Sequence, residues 1–265
     1  MSDLAELETF YDTMPRLHAD VEEVGPFTLF IKRPDGWPFY ARPRLGGDGP
    51  FDADAVRRVL DRMRELDVPL AIEWVHDVTP GLLSAVLAEG TLEPGEHPLM
   101  VLADDPEVPQ VAGDVTLRML GPDDEALLGS ARAVQDLAFG PAQDPPAGVA
   151  ERDATAEEPS DLRRAQLRSG ESRIAVAEHA GRGILAAGQH LSAAGVSEIV
   201  GVATLPSEQG ARLGSAITWA LVADARSRGV GTVFLSAGSE RIARIYGRLG
   251  FRTVGVAYVA EPPNA

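Results

Sequence analysis

The chain has no cysteine among its 265 residues. Without a thiol, it cannot form a disulfide, a thiolate zinc site or a covalent cysteine intermediate. It also lacks an apolar run of the roughly 18 residues that a membrane-spanning helix needs, so we expect no membrane partner. The first residues, MSDLAELETFYD, are acidic and show no basic-then-apolar signal pattern, which predicts a cytoplasmic protein.

Positive charge is scarce as well. The chain has 24 Lys and Arg against 40 Asp and Glu, for a formal net charge of −16. Non-specific nucleic-acid binding needs a basic surface, so we expect no nucleic-acid partner. An acidic field suits a cationic substrate such as an amine, although an acidic surface also simply aids solubility. The abundant Ala, Gly, Arg, Asp and Pro are typical of high-GC bacterial proteins. Either a monomer or a homodimer fits the sequence.

The length and the hydrophobic content of 45% suit two α/β units. A polar, proline-containing segment at 104–113 predicts the boundary between a domain at 1–105 and a domain at 114–265. In the first domain, hydrophobic periodicity and turn residues predict the following elements: a helix at 3–13, a hairpin within 21–44 that turns at 34–37, helices at 52–66 and 79–89, and strands at 69–75 and 97–103.

The second domain reads as a longer alternation of strands and helices. A segment rich in Pro, Ala, Asp and Glu at 140–159 has little to bury, which predicts a mobile loop over a cleft. The other predicted elements are strands at 115–120, 172–178, 183–191, 199–204, 232–237 and 251–260, helices at 122–138, 160–168 and 239–249, and a long helix within 213–229.

One stretch of this second domain predicts a binding site for an anion. A β-branched strand ends at Pro206, and a glycine-containing turn leads into a helix with Leu213, Ile217 and Leu221 on one face. The first N–H groups of a helix are unpaired and the helix dipole adds positive charge, so a pyrophosphate suits this position. Neither GxxxxGK[ST] nor GxGxxG is present, which argues against a P-loop and a dinucleotide-binding turn.

The turn instead resembles the coenzyme A loop of the GNAT acyltransferase superfamily, whose pattern [Q/R]-x-x-G-x-[G/A] follows the fourth strand. Arg212 stands at the family's middle glycine, where its own charge could compensate for a changed backbone approach to the phosphates. The resemblance implies a coenzyme loop made of Gln209, Gly210, Ala211, Arg212, Leu213, Gly214 and Ser215. The pantetheine arm could pair, like an added strand, with the edge of the preceding strand at Val202, Ala203 and Thr204. A backbone N–H there could polarise the thioester carbonyl.

The element order of the second domain is the GNAT order. The resemblance therefore implies a mixed α/β GNAT acyl-CoA acyltransferase fold, with acetyl-CoA as the acyl donor and no metal. The first domain repeats helix, strand, helix and strand without the loop signature. This pattern predicts a smaller, degenerate GNAT-like unit without catalytic function.

The resemblance also implies two catalytic residues. Alkyl amines have pKa values near 10, so a base must remove a proton before attack. GNAT proteins of the histone-acetyltransferase type open the central strand with a glutamate, as Glu198-Ile199-Val200 does here. Glu198 would be the general base, directly or through a water; the alternative is a solvated carboxylate at the strand end.

Tyr246 lies in ARIYGRLGF, which resembles the tyrosine segment after the family's fifth strand. There the tyrosine would protonate the departing thiolate; the alternative is core packing beside Ile245 and Leu249. Ser239 stands where the family often has an asparagine that contacts the coenzyme. Its hydroxyl could instead cap the following helix.

The function implied is N-acetylation: an acetyl group passes from acetyl-CoA directly to a primary amine in a ternary complex. The acceptor is a small-molecule or peptide amine that the sequence does not name. Arg212 and Ser239 depart from the family pattern, and they motivate the alternative of a non-catalytic acyl-CoA-binding regulatory module.

Overall fold

The computed structural model describes residues 3–33, 40–103 and 109–263. The predicted turn at 34–37 and residues 104–108 of the predicted linker lie outside the described residues. The chain forms two compact units. Unit 1 comprises residues 1–101, 236–244 and 252–265, and unit 2 comprises residues 102–235 and 245–251. No helix in the described ranges is long and apolar enough to cross a membrane.

Helices and strands are interspersed along the chain, in agreement with the predicted mixed α/β fold. The first half contains α1 (Asp3–Arg16), β1 (Ala19–Val24), β2 (Phe27–Lys32), β3 (Ala41–Pro43), α2 (Ala53–Glu65), β4 (Ile72–Val75), α3 (Gly81–Glu89) and β5 (Glu93–Leu102). The second half contains β6 (Val115–Leu120), α4 (Glu125–Phe139), α5 (Val149–Thr155), α6 (Asp161–Ser169), β7 (Ser172–His179), β8 (Gly183–Ala193), β9 (Val196–Thr204), α7 (Leu213–Ser227), β10 (Thr232–Ser236), α8 (Glu240–Gly247) and β11 (Phe251–Glu261).

Unit 1 has its strands in the order β1-β2-β3-β4-β11-β5. Its core lies between these strands and the helices α2 and α3. The amphipathic pattern of α2 accounts for this packing, because the apolar side chains at helical spacing are all buried. The core contains Val56, Val59, Leu60 and Met63 of α2, Leu82 and Val86 of α3, and Ile72 and Trp74 of β4.

The last strand, β11, belongs to unit 1, whereas the sequence places residues 252–261 in the second domain. It pairs antiparallel with β4, with Ala257 opposite Val75 and Ala260 opposite Ile72. Ala260 is fully buried in the core of unit 1. The unit limits therefore differ from the predicted domain limits, because strand pairing joins residues that are distant in the chain.

Unit 2 has the strand order β10-β9-β8-β7-β6. Strands β6 to β9 are antiparallel neighbours, and β10 runs parallel to β9. Helices α4 and α7 both pack on β8 and β9. The predicted strands at 172–178 and 183–191 correspond to β7 and β8, and the predicted helix at 160–168 corresponds to α6.

The segment predicted as a mobile loop at 140–159 contains the short helix α5. Arg152 of this helix is buried, and its Nη1 donates to the carbonyl oxygens of Arg182 at 2.7 Å and Ile184 at 2.6 Å. The prediction was wrong for residues 149–155 because a single long side chain anchors them to β8, a tertiary contact that apolar composition does not reveal.

Candidate functional site

The central feature of unit 2 is the divergence of β9 from its parallel neighbour. The two strands pair from Val196 opposite Thr232 to Glu198 opposite Phe234. On the other side, β9 stays paired with β8 as far as Thr204. Among the described strand pairs of unit 2, none joins β10 to residues 199–204. The carboxyl-terminal half of β9, including the predicted Val202, Ala203 and Thr204, therefore has an edge open to another extended chain.

A β-bulge interrupts β9 within this half. Ala203 lies opposite Ala187, but Val200 lies opposite Gln189, so Gly201 and Val202 together face the single residue Gly188. Gly201 has φ +62°. Its carbonyl oxygen accepts a hydrogen bond of 2.8 Å from Nε2 of Gln135 on α4. Neither Gly201 nor Gln135 was among the predicted site residues.

Beyond β9, the chain passes through a short 3₁₀ helix at Pro206–Glu208 and a turn at 209–212 into α7. Gln209, Gly210, Ala211 and Arg212 are exposed. The amide of Ala216 donates to the carbonyl of Arg212 at 3.2 Å, as expected for the first turn of α7. The amides of Leu213, Gly214 and Ser215 therefore lie in the first turn of α7, where the helix contains no carbonyl oxygen that can accept their hydrogen bonds. The structure brings this anion-binding geometry to the end of the open edge of β9.

Arg212 adopts a left-handed backbone conformation, with φ +59°. Such a conformation costs a non-glycine residue about 1 kcal/mol. The position corresponds to the middle glycine in the pattern [Q/R]-x-x-G-x-[G/A], and its φ gives the physical reason for a glycine there.

Glu198 is half-buried near the amino end of β9, in register with Leu191 of β8 and Phe234 of β10. Its neighbour Ser197 faces α7 through a hydrogen-bonded network, so the alternation of a strand turns Glu198 to the opposite face. Val202 lies four positions beyond Glu198, or about 13 Å along the strand. A carboxylate at Glu198 and a group held at Val202 are therefore not in direct contact.

Tyr246 lies on α8, half-buried, with its ring edge-on to Phe251 at a centroid distance of 5.9 Å. Its hydroxyl lies beside that of Thr218 on α7, and burial raises the pKa of Tyr246 to about 12. The phenol is thus protonated at neutral pH. Thr218 in turn donates to the carbonyl of Gly214 at 2.9 Å, which links Tyr246 to the start of α7.

Ser239 is exposed at the start of α8. Its Oγ accepts a hydrogen bond of 3.3 Å from the amide of Ile242, and its carbonyl accepts one of 2.8 Å from Ala243. The hydroxyl therefore caps the helix, as one of the two sequence-based interpretations expects. A contact with the coenzyme stays a prediction.

A serine, a histidine and an aspartate also meet in unit 2. Oγ of Ser197 lies 2.9 Å from Nδ1 of His190, whose Nε2 lies 3.0 Å from Oδ2 of Asp224. Ser197 and His190 are both 0% exposed, so no substrate can reach the hydroxyl. Burial lowers the pKa of His190, which favours the neutral ring. We assign this network to the attachment of α7 to β8 and β9.

Unit 1 has an open cleft of about 900 Å³ beside α1 and the loops that precede α2 and α3. Its lining includes the carboxylates of Glu8, Asp48 and Asp77. At the start of α2, Oδ1 of Asp52 already accepts the amide of Ala55 at 2.7 Å. Among the described residues of the lining, these three carboxylates outnumber the single arginine, Arg44, which makes the cleft poorly suited to a diphosphate. In the described residues, no group of three His, Asp or Glu is placed to hold a metal ion.

The chain resembles known proteins in both sequence and structure. Residues 142–251 match the model of a family described as "Acetyltransferase (GNAT) family". Comparison with curated proteins gives no match.

Among solved structures, a GCN5-related N-acetyltransferase from Kribbella flavida has a TM-score of 0.73 at 22% identity, over 100% of this chain and 97% of its own. A tandem GNAT protein from the clavulanic acid biosynthesis pathway has a TM-score of 0.57 at 18% identity, over 91% and 80% of the two chains. A GCN5-related N-acetyltransferase-like protein from Streptococcus suis has a TM-score of 0.57 at 12% identity, over 98% and 99%. These likenesses show the fold, and the predicted fold class is confirmed.

Proposed function

We propose, from the premise that residues 142–251 are a GNAT-family domain, that the protein transfers an acetyl group from acetyl-CoA to a primary amine. The observation that carries the proposal is the continuity of an open strand edge with a helix start. The free edge of β9 at residues 199–204 leads through the turn at 209–212 into α7. An extended pantetheine arm and a diphosphate need these two features in this order.

In the proposed complex, the pantetheine amides pair with the backbone of Val202, Ala203 and Thr204. The diphosphate accepts hydrogen bonds from the amides of the turn and the first turn of α7, at 209–215. An N–H of the β9 bulge donates to the thioester carbonyl, where negative charge develops as the amine attacks.

The reaction forms a bond between the amine nitrogen and the acetyl carbon and breaks the bond from that carbon to sulfur. Glu198 takes a proton from the amine, directly or through a water. The departing electron pair stays on sulfur as a thiolate. The enzyme itself forms no covalent bond to the acetyl group.

Tyr246 supplies a hydrogen bond to that thiolate. Its pKa is raised to about 12 by burial, whereas an alkyl thiol has a pKa of about 8.5. Full proton transfer from the phenol to sulfur is therefore uphill by several kcal/mol. Hydrogen-bond donation stabilises the thiolate without that cost, and the final proton comes from solvent.

Unit 1 is, in this proposal, the degenerate GNAT-like unit that the sequence predicts. Support comes from the helix start of α2, which Asp52 caps with its own side chain.

The acceptor in this proposal is a small-molecule or peptide amine. The protein acts in the cytoplasm as a monomer or homodimer. Neither nucleic acid nor a membrane takes part.

The deciding experiment pairs calorimetric titration of acetyl-CoA with a thiol-release assay over a panel of primary amines. We expect heat on titration and thiol release with at least one amine. Binding without release for any amine would favour the non-catalytic acyl-CoA-binding module. The absence of both would contradict both functions.

A further inference from the structure

We propose that Gln135 is a positioning residue for acetyl transfer. Its side-chain amide holds the bulge of β9 in the conformation that directs a backbone N–H toward the bound thioester carbonyl. This inference rests on the proposed function, since it concerns the same stretch of β9. Gln135 itself would touch neither the coenzyme nor the acceptor.

The hydrogen-bond pattern of the bulge gives the first argument. The two pairs that flank the bulge, Ala187 with Ala203 and Gln189 with Val200, are out of step by one residue. The alternation of N–H and C=O groups along β9 therefore shifts at Gly201. A bulge leaves a backbone group outside the ladder, and a buried polar group left without a hydrogen bond destabilises the fold. Here Nε2 of Gln135 donates to the Gly201 carbonyl at 2.8 Å.

The fit between these two residues gives the second argument. A Cβ atom at position 201 would lie 2.5 Å from Nε2 of Gln135, and the backbone there has φ +62°. Glycine is the residue that adopts this φ without strain and leaves room for the amide. Gly201 and Gln135 are thus matched in both conformation and space.

The surroundings of Gln135 give the third argument. Its neighbours on the buried face of α4 are apolar or small, among them Leu128, Ala131 and Val134. Gln135 is only 8% exposed. A leucine or methionine would fill such a position without a polar group to satisfy. The carbonyl of Gly201 explains why a side-chain amide stands at position 135. Because the peptide unit is planar, a hydrogen bond that holds this carbonyl also fixes the orientation of the N–H in the same peptide unit.

The test measures the thioester carbonyl directly, so it needs no identified acceptor. Acetyl-CoA labelled with carbon-13 at the thioester carbonyl is bound to the full chain, and its carbonyl stretch is recorded by infrared difference spectroscopy. Gln135→Met keeps the side-chain length and removes the donor. Asp136→Asn, an exposed position on the same helix, is the matched control.

For the wild type and Asp136→Asn, we expect the band to move to lower frequency on binding. In Gln135→Met, at least half of that shift should be lost, while the Kd for coenzyme A, which lacks the acetyl group, stays within about twofold. An unchanged band in Gln135→Met overturns the inference, as does a bound wild type whose band does not move. Failure of the wild type to bind acetyl-CoA contradicts the proposed function instead.

If Gln135→Met does not fold, Gln135→Glu provides the second variant. A protonated carboxyl group can donate to the Gly201 carbonyl, whereas a carboxylate cannot. The band shift of this variant should therefore grow as the pH is lowered, and a pH-independent shift equal to that of the wild type overturns the inference.

Discussion

The phenol of Tyr246 on α8 lies beside the hydroxyl of Thr218 on α7, and Thr218 donates to the carbonyl of Gly214 at 2.9 Å. Thr218 is 1% exposed, so this chain of contacts is shielded from solvent. It connects the proposed thiolate donor with the first turn of α7, where the diphosphate is proposed to bind. The position of the phenol therefore depends on the same helix that holds the coenzyme.

Tyr246→Phe should slow turnover by roughly 10- to 100-fold, since a hydrogen bond to a charged group contributes about 1.5–3 kcal/mol. The Kd for acetyl-CoA should change little, because the diphosphate contacts remain. Steady-state kinetics and calorimetry measure the two quantities. Thr218→Val, which keeps the phenol but removes its partner, should cause a smaller loss. Normal turnover with a lowered melting temperature would instead identify Tyr246 as a packing residue.

The raised pKa of Tyr246 also predicts a pH effect on stability. Its pKa is about 12 in the folded protein and about 10 in an unfolded chain. Between these values the folded state binds more protons than the unfolded state, so the free energy of unfolding falls as the pH rises. Relative to Tyr246→Phe, the wild type should lose about 2–3 kcal/mol across this range. Denaturant titrations of both proteins at matched alkaline pH check the difference, and parallel curves would contradict the assigned burial.

Glu198→Gln should lower kcat at neutral pH by about 10²–10⁴-fold, the usual contribution of a general base. The loss should shrink at high pH, where more of the amine is already deprotonated. A pH–rate profile of both proteins provides the measurement. Glu240→Gln, which changes an exposed carboxylate on α8, is the control. A loss that is the same at every pH would remove the base assignment.

Gly214→Asp should weaken acetyl-CoA binding by at least about tenfold, because a carboxylate in the first turn of α7 repels a diphosphate. A Cβ at this position meets Oγ1 of Thr204 and Cγ1 of Val202 no closer than 3.8 Å, so the side chain can be accommodated. An acidic residue also stabilises a helix start, so the fold should not suffer. Gly214→Asn has nearly the same shape without the charge and should bind much more tightly than the aspartate variant. Equal affinities would place the diphosphate elsewhere.

Arg212→Gly tests two contributions of this residue, the left-handed backbone conformation and the charge of the guanidinium group. The glycine relieves the left-handed conformation at φ +59° and should raise the free energy of unfolding by up to about 1 kcal/mol. If the guanidinium binds a phosphate, affinity for acetyl-CoA should fall and depend less on salt. Arg212→Asn, which also tolerates this φ, should share the loss of affinity. Unchanged affinity and salt dependence in both variants would show that the arginine contributes no charge to binding.

Local patterns were enough to predict the elements nearest the site. Short stretches of sequence determine three of these elements: the β-branched strand ending at Pro206, the glycine-containing turn and the apolar face of α7. The structure confirms them. Gly201 also carried a signal, because an isolated glycine within a strand suggests a bulge. Gln135 carried none, since its importance depends on a carbonyl 66 residues further along the chain.

Other differences have the same physical origin. The sequence did not predict β1, in which half of the residues ADVEEV are acidic, because its strand character comes from antiparallel pairing with β2 across a turn at Gly25. Helix α5 was missed because Arg152 anchors it by contacts with β8. In each case a tertiary contact decides a conformation that local propensity leaves open.

The place of β11 between β4 and β5 in unit 1 has a consequence for biosynthesis. The ribosome produces β4 and β5 long before it produces residues 252–261. In a nascent chain, β4 and β5 therefore lack the strand that lies between them until residues 252–261 emerge. Unpaired strand edges invite association with other chains. The N-terminal half should therefore depend on chaperones until residues 252–261 have been synthesised, and expression of residues 1–101 alone should give an aggregation-prone product that a separately supplied 252–265 peptide rescues.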